Sequence, residues 1–221
     1  MSTGELFDER VLELAPGAAL LRGFASEQGE ALLREVGAIT QAAPFRHLVT
    51  PGGYTMSVAM TNCGRVGWCS DRSGYRYDAI DPSSGQPWPA MPTVFSALAA
   101  QAASAAGFDG FMPDACLINR YEPGAKLSLH QDRDERDFEA PVVSLSLGDT
   151  CVFRIGGTTR KDATRTLHLA SGDAVVLGGK ARLAFHGVDR ILAGTSTLLA
   201  EGGRINLTLR RVTMPGEDRI W

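Results

Sequence analysis

The sequence has no uninterrupted apolar run approaching the roughly 18 residues that a membrane-crossing helix needs. Its longest apolar stretch, Ala97 to Ala106, is broken by Gln101 and Ser104. The opening MSTGELFDER lacks a basic start followed by an apolar segment, so a secretory signal is not expected and the cytoplasm is the expected location. Cysteine is sparse. Cys63, Cys69, Cys116 and Cys151 form no C-x-x-C pair, which argues against a zinc site and for reduced thiols. Positive charge is not in excess: 22 Lys and Arg against 25 Asp and Glu leave a net charge of −3. A surface coated in basic residues is thereby excluded, while a local basic face is not. Internal repeats, low-complexity tracts and long linkers are also missing.

What remains is an ordinary globular composition, 44% hydrophobic and 21% charged over 221 residues, which suits one large domain. Glycine (25) and proline (11) punctuate the chain about once in six residues, favouring short strands joined by turns. Residues 1–44 read as an N-terminal cap with a helix over Ser26–Thr40, Ser26 being the N-cap candidate. Residues 93–114 hold a supporting helix from Thr93 to Ala106, stopped by Gly107. Between them, 45–92 is rich in turns, aromatics (Phe45, Tyr54, Trp68, Tyr75, Tyr77, Trp88) and arginines (Arg46, Arg65, Arg72, Arg76). This segment is either a surface hairpin excursion or a lid that stacks flat rings and touches phosphates. From residue 115 to 211 about eight strand-like phrases follow one another, among them ACLINRY, KLSLHQD, RLAFHG and RINLTLR. They predict a mainly β sandwich or jelly-roll barrel, with 212–221 as a tail and Trp221 a candidate to dock on the barrel.

Alternation decides which side chains share a face. Lys126, Ser128, His130 and Asp132 fall on one side of their strand, Arg204, Asn206, Thr208 and Arg210 on one side of theirs, and Leu117, Asn119 and Tyr121 together on a third. Such faces either meet water or line the interior of a barrel wide enough for a small ligand. His130-x-Asp132 sets an imidazole and a carboxylate roughly 6–7 Å apart along one face. Of the four histidines, His186, expected near the end of a strand, is the best third ligand. His168 reads as a half-buried strand residue, and His47 sits in the turn-rich segment. Two imidazoles and one carboxylate make a facial triad, which suits Fe(II) and leaves positions open for substrate and oxygen. Arg204 and Arg210 offer guanidinium forks that pair either with a dicarboxylate cosubstrate or with acidic side chains across the barrel mouth.

Long phrases then carry a resemblance. PFRHLVTPGGYTMSVAMTNCG, IDP…PWPAMP, PDACLINRYEPGAKLSLHQDRDE and R-x-N-L-T-x-R closely resemble the AlkB family of Fe(II)- and 2-oxoglutarate-dependent dioxygenases, in its bacterial DNA-repair branch. The likeness runs from about residue 20 to 211. It implies a double-stranded β-helix, a jelly-roll variant, with 45–92 as a nucleotide-recognition lid. It implies that His130, Asp132 and His186 hold iron and form the catalytic centre. Asn119, Tyr121, Arg204, Asn206 and Arg210 would bind 2-oxoglutarate, Arg204 at the distal carboxylate and Arg210 near the metal-chelating end. Trp68 and His130 would sandwich the damaged base, Asp134 would reach its exocyclic amino group, and Met60, Tyr75 and Arg160 would complete the substrate contacts. The tail after Arg211 has no counterpart in this resemblance.

The activity so implied is oxidative demethylation of N-alkylated bases, of the N1-methyladenine and N3-methylcytosine type. The methyl leaves as formaldehyde while 2-oxoglutarate and oxygen become succinate and carbon dioxide. Such lesions carry positive charge, which suits stacking on Trp68 and a carboxylate at Asp134, and they pair poorly, which makes base flipping cheap. The expected partner is alkylated DNA, single- or double-stranded, with RNA left open, and the expected state is a monomer. Residues 154–190 carry seven Lys and Arg against three Asp, so the phosphate-facing side is sought there. The alternatives are a 2-oxoglutarate-dependent hydroxylase of a protein or small molecule, which Trp68 and Asp134 speak against, and a non-catalytic binder of damaged nucleic acid, which would need a broken triad.

Overall fold

The computed structural model describes residues 11–214 and residue 216. The expected docking of Trp221 falls outside them. Along the chain run β1 (Val11–Ala15), β2 (Ala18–Leu21), a 3-10 turn (Ser26–Gln28), α1 (Gly29–Ala42), β3 (Arg46–Val49), β4 (Thr55–Gly64), β5 (Gly67–Asp71), β6 (Gly74–Asp78) and α2 (Thr93–Ala105). The second half contributes β7 (Ala115–Tyr121), β8 (Leu127–His130), β9 (Val142–Gly148), β10 (Thr150–Ile155), β11 (Arg165–Leu169), β12 (Ala174–Leu177), β13 (His186–Leu192) and β14 (Arg204–Arg210). A large antiparallel sheet has the order β1-β2-β12-β9-β14-β7-β4-β3, a smaller one β11-β10-β13-β8, and β5 and β6 form a separate hairpin.

The polar and apolar faces of the large sheet separate as alternation demands. Ile205, Leu207 and Leu209 of β14 join Val143, Leu145 and Val176 in a core closed by Leu32, Val36 and Ile39 of α1 and by Phe95 and Leu98 of α2. Each such buried side chain contributes about 1.5–3 kcal/mol of transfer free energy. The helices are therefore supports for the sheet face that points away from the small sheet. On the other face, Val175, Leu177, Leu117 and Tyr121 meet Phe153, Ile155 and Val188 of the small sheet. The two sheets form the expected jelly-roll sandwich, with polar residues of β7 and β14 between them.

The α2 stop is as expected. Gly107 takes φ of +86°, while its N–H and that of Phe108 bond back to the carbonyls of Ser104 and Ala103, a Schellman motif that satisfies the last turn. Five local points need correction. Ser26 makes no side-chain cap; it opens the 3-10 turn, and α1 starts at Gly29. The N-terminal cap includes the β1–β2 hairpin, and β2 is wholly buried beside β12, so its AALL run has no alternation to betray it. The segment 45–92 is not all excursion, because β4 pairs with β7 from Ala59↔Arg120 to Gly64↔Ala115, inside the large sheet. His186 begins β13 rather than ending a strand: the chain ahead of it makes a 3-10 turn at Gly179–Ala181. His168 in β11 is exposed rather than half-buried. Among the described residues no helix is long and apolar enough to cross a membrane.

Candidate active site

A cavity of about 950 Å³ opens between the sheets. Leu117, Asn119 and Tyr121 of β7 line it together with Arg204, Asn206, Thr208 and Arg210 of β14, so the polar faces of both strands point inward. His130 and His186 line it from the small sheet and Met60 from β4, while Trp68, Tyr75, Asp134 and Arg160 stand around its opening. All thirteen residues singled out from the sequence thus meet in one cavity.

On the small sheet His130 and His186 are register partners of β8 and β13. Their rings lie 4.5 Å apart between centroids. Gly187 makes this approach possible: a Cβ there would stand 2.6 Å from the carbonyl oxygen of Leu127. Each histidine directs its Nδ1 at a backbone carbonyl, Ser128 for His130 and Ala184 for His186, both at 2.9 Å. A carbonyl can only accept, so Nδ1 carries the proton and Nε2 keeps its lone pair for a metal. These Nε2 atoms lie 3.8 Å from Asp132 Oδ1 and 3.7 Å from Oδ2, and ligand atoms of all three residues fall within 4.8 Å of one another. Burial, and then the neighbouring His130, lower the His186 imidazole to about 4, so it is neutral at neutral pH as a ligand must be.

Asp132 is buried, which by itself would raise its carboxyl, but Arg210 at 2.7 Å outweighs that and holds it well below the usual carboxylate range. Arg210 occupies Oδ1; Oδ2 is buried with no hydrogen-bond partner. An orphaned carboxylate oxygen facing two oriented imidazoles fits a divalent iron ion. The same test succeeds across the cavity. Arg204, 2% exposed, donates one bond to Ser146 Oγ at 3.0 Å and lies over the Tyr121 ring at 5.1 Å. Its Nε and Nη1 are buried and unpartnered, as is Asn119 Oδ1. A buried guanidinium with two idle donors is costly unless an anion completes it, and a carboxylate fits. Burial pushes the Tyr121 hydroxyl up to about 12, so it stays protonated beside such an anion. Asn206 differs: its amide is engaged by Ser144 Oγ, the Leu145 carbonyl and Thr208.

At the opening Trp68 stacks on Tyr75, 5.5 Å between centroids and 16° between planes, and its indole N–H donates to Asp134 Oδ2 at 2.9 Å. Asn62 holds the Trp68 backbone on both sides. Arg160 donates to the Leu129 carbonyl and lies over Phe185. The basic character of 154–190 is smaller than its count suggests. Arg154 pairs with Asp189, and Arg182 is buried against Glu135, out of reach of phosphates. Sequence reasoning missed Gln131, whose amide bridges the carbonyls of Thr158 and Leu183, and the buried group of Tyr77, Glu135 and Arg182. The position of Gln131 between the two ligands of H-x-D was the one available signal.

Residues 17–210 match the 2OG-Fe(II) oxygenase superfamily. The alpha-ketoglutarate-dependent dioxygenase AlkB of Escherichia coli K12 is 54% identical over 198 residues, 90% of this chain and 91% of that protein. The AlkB homolog of Caulobacter vibrioides NA1000 is 52% identical over 201 residues, 90% of each. The solved structure of OsALKBH1 superimposes with a TM-score of 0.80 at 32% identity, covering 91% of this chain and 99% of that one. With the two imidazoles on one sheet, Asp132 just beyond β8 and the idle guanidinium on the other sheet, the chain belongs to the AlkB family of Fe(II)- and 2-oxoglutarate-dependent dioxygenases.

Proposed function

We propose that this enzyme oxidatively demethylates N-alkylated bases in DNA, with RNA a further substrate, acting as a cytoplasmic monomer. The observation that carries the reading is the Trp68–Tyr75 stack with Asp134 anchored beside it, at the opening of a cavity floored by the His–Asp–His cluster. Flat aromatic rings accept a base of any sequence, and a carboxylate favours a cationic methylated ring over its neutral parent. His130, Asp132 and His186 would hold Fe(II). When bound, the iron with 2-oxoglutarate and oxygen supplies the oxidising power that hydroxylates the methyl group, which then leaves as formaldehyde.

The protein's own share is placement. Arg204 would bind the distal carboxylate of 2-oxoglutarate, with Asn119, Tyr121, Asn206 and Arg210 shaping the rest of its berth. The hairpin of β5 and β6 would act as the lid, Trp68 and His130 taking the flipped base between them while Met60 closes the side. Lys126, Arg133 and Arg160, which line the opening, supply positive charge for the flanking phosphates. Apolar walls from Phe153, Val175, Leu177 and Val188 keep bulk water from the reacting methyl.

The test is mass spectrometry of a single-stranded oligonucleotide bearing one N1-methyladenine, incubated with enzyme, Fe(II) and 2-oxoglutarate in air. The methyl is expected to disappear with wild type and to persist with His130→Ala, while Asp134→Asn slows its loss. Continued conversion of 2-oxoglutarate to succinate with the methyl intact would overturn the substrate assignment.

A further inference from the structure

The cross-strand pair Trp68 and Tyr77 of the β5–β6 hairpin grips two consecutive residues of the loop that follows β8. Trp68 holds Asp134, and the Tyr77 hydroxyl donates to Glu135 Oε1 at 2.6 Å. These two carboxylates lie two and three residues beyond the metal ligand Asp132. The same Tyr77 oxygen accepts from Arg210 Nη1 at 3.2 Å, and Arg210 Nε lies 3.3 Å from Glu135 Oε1. The remaining arm, Arg210 Nη2, meets Asp132. Arg182 closes the group from behind, donating to Glu135 Oε2 at 3.2 Å and to the backbone carbonyl of Asp132 at 2.8 Å. The carboxylate and the carbonyl of one metal ligand are thus held by two arginines that share a single buried glutamate.

We propose that Tyr77 and Glu135 are positioning residues for the metal site: together they aim the Arg210 guanidinium at Asp132 and seat the hairpin over the cavity. The proposal rests on the metal and cosubstrate placement given above and adds residues that touch neither. Packing does not require the hydroxyl. The Tyr77 ring sits among Val66, Ala115 and Val212, where phenylalanine would fit equally well. A carboxylate as buried as Glu135, 5% exposed, is retained at the expense of its hydration, so its three partners fix it in one orientation. Arg210 Nε makes no hydrogen bond, so its ion pair with Glu135 supplies attraction without direction, and the Tyr77 oxygen on Nη1 is the contact that fixes the planar guanidinium with Nη2 on Asp132.

The experiment measures Mn(II) and 2-oxoglutarate affinities by calorimetry on the full chain, with melting temperatures alongside, for wild type, Tyr77→Phe, Glu135→Gln and the double variant. Tyr77→Phe is expected to weaken both affinities about tenfold, the size of one hydrogen bond to a charged group. The double variant should lose no more than Glu135→Gln alone, because both changes free the same guanidinium. Affinities within twofold of wild type in Tyr77→Phe, with only the melting temperature lowered, would reduce Tyr77 to packing and overturn the proposal. Fully additive losses would also overturn it. A wild type that binds neither ligand would instead fail the site assignment itself, and the role of Tyr77 with it.

Discussion

Arg204 shows how much one side chain can reveal about a ligand. It is among the largest fully buried side chains, yet only Nη2 has a hydrogen-bond partner. Folding a guanidinium into a core with two idle donors is unfavourable unless the working enzyme completes them. Lysine at 204 would keep the charge but lose the fork that matches a carboxylate. Arg204→Lys is therefore expected to weaken 2-oxoglutarate binding about 10- to 100-fold, on the order of 1.5–3 kcal/mol. Mn(II) affinity measured without 2-oxoglutarate should be unchanged, since Arg204 lies across the cavity from the imidazoles. Calorimetry reads both quantities, and an unaltered 2-oxoglutarate affinity would move the carboxylate site elsewhere. Asn206, on the same face, holds Ser144 and Thr208 with its amide, so its proposed part in cosubstrate binding would be to shape the wall.

At the scale of elements, legibility followed alternation. The β7 and β14 strands read correctly because each mixes polar and apolar residues at period two, and their inward faces are the two polar walls of the cavity. The H-x-D pair was found although its strand reading was too long: β8 stops at His130, and Asp132 reaches the cluster from the loop beyond it. The run RLAFHG misled because its alternation imitates a strand where the chain makes a turn, and AALL in β2 went unread because a strand buried on both faces has no alternation. The Tyr77, Glu135 and Arg182 group was invisible, since its members stand 47 and 58 residues apart and nothing local marks them as partners. Gly187 was overlooked beside a candidate ligand, although its missing side chain is what lets β8 and β13 close. Gly187→Ala puts a methyl 2.6 Å from a backbone oxygen that cannot move away cheaply. Overpacking of this kind costs about 1–3 kcal/mol, and here the strain separates His130 from His186. Urea unfolding should show the loss, and calorimetry a parallel fall in Mn(II) affinity. Lower stability with intact metal affinity would mean that the strain is absorbed outside the site.

Across the whole molecule the chemistry is divided between the sheets. Both imidazoles stand on the small sheet, Arg204 and Arg210, proposed to bind the cosubstrate, stand on the large one, and the Arg210–Asp132 pair joins the two. A metal and a dicarboxylate would therefore cross-link the sandwich, so the stability of the fold and the protonation of the site are linked. His186 makes the link measurable. Its folded value of about 4 lies below the ordinary 6.5, so between those two values the unfolded chain binds the proton and the folded chain does not. The stabilisation is then complete above pH 6.5 and is lost as pH falls toward 4, by roughly 3 kcal/mol at most. Urea midpoints of the metal-free protein are expected to fall across that window, and His186→Asn should flatten the fall while other carboxylates continue to titrate. Saturating Mn(II) should steepen it in the wild type only, because protons then compete with a bound ion as well as with the fold. Identical acid limbs in wild type and His186→Asn would mean that His186 titrates as it does in the unfolded chain, and that its burial does not keep it ready for the metal.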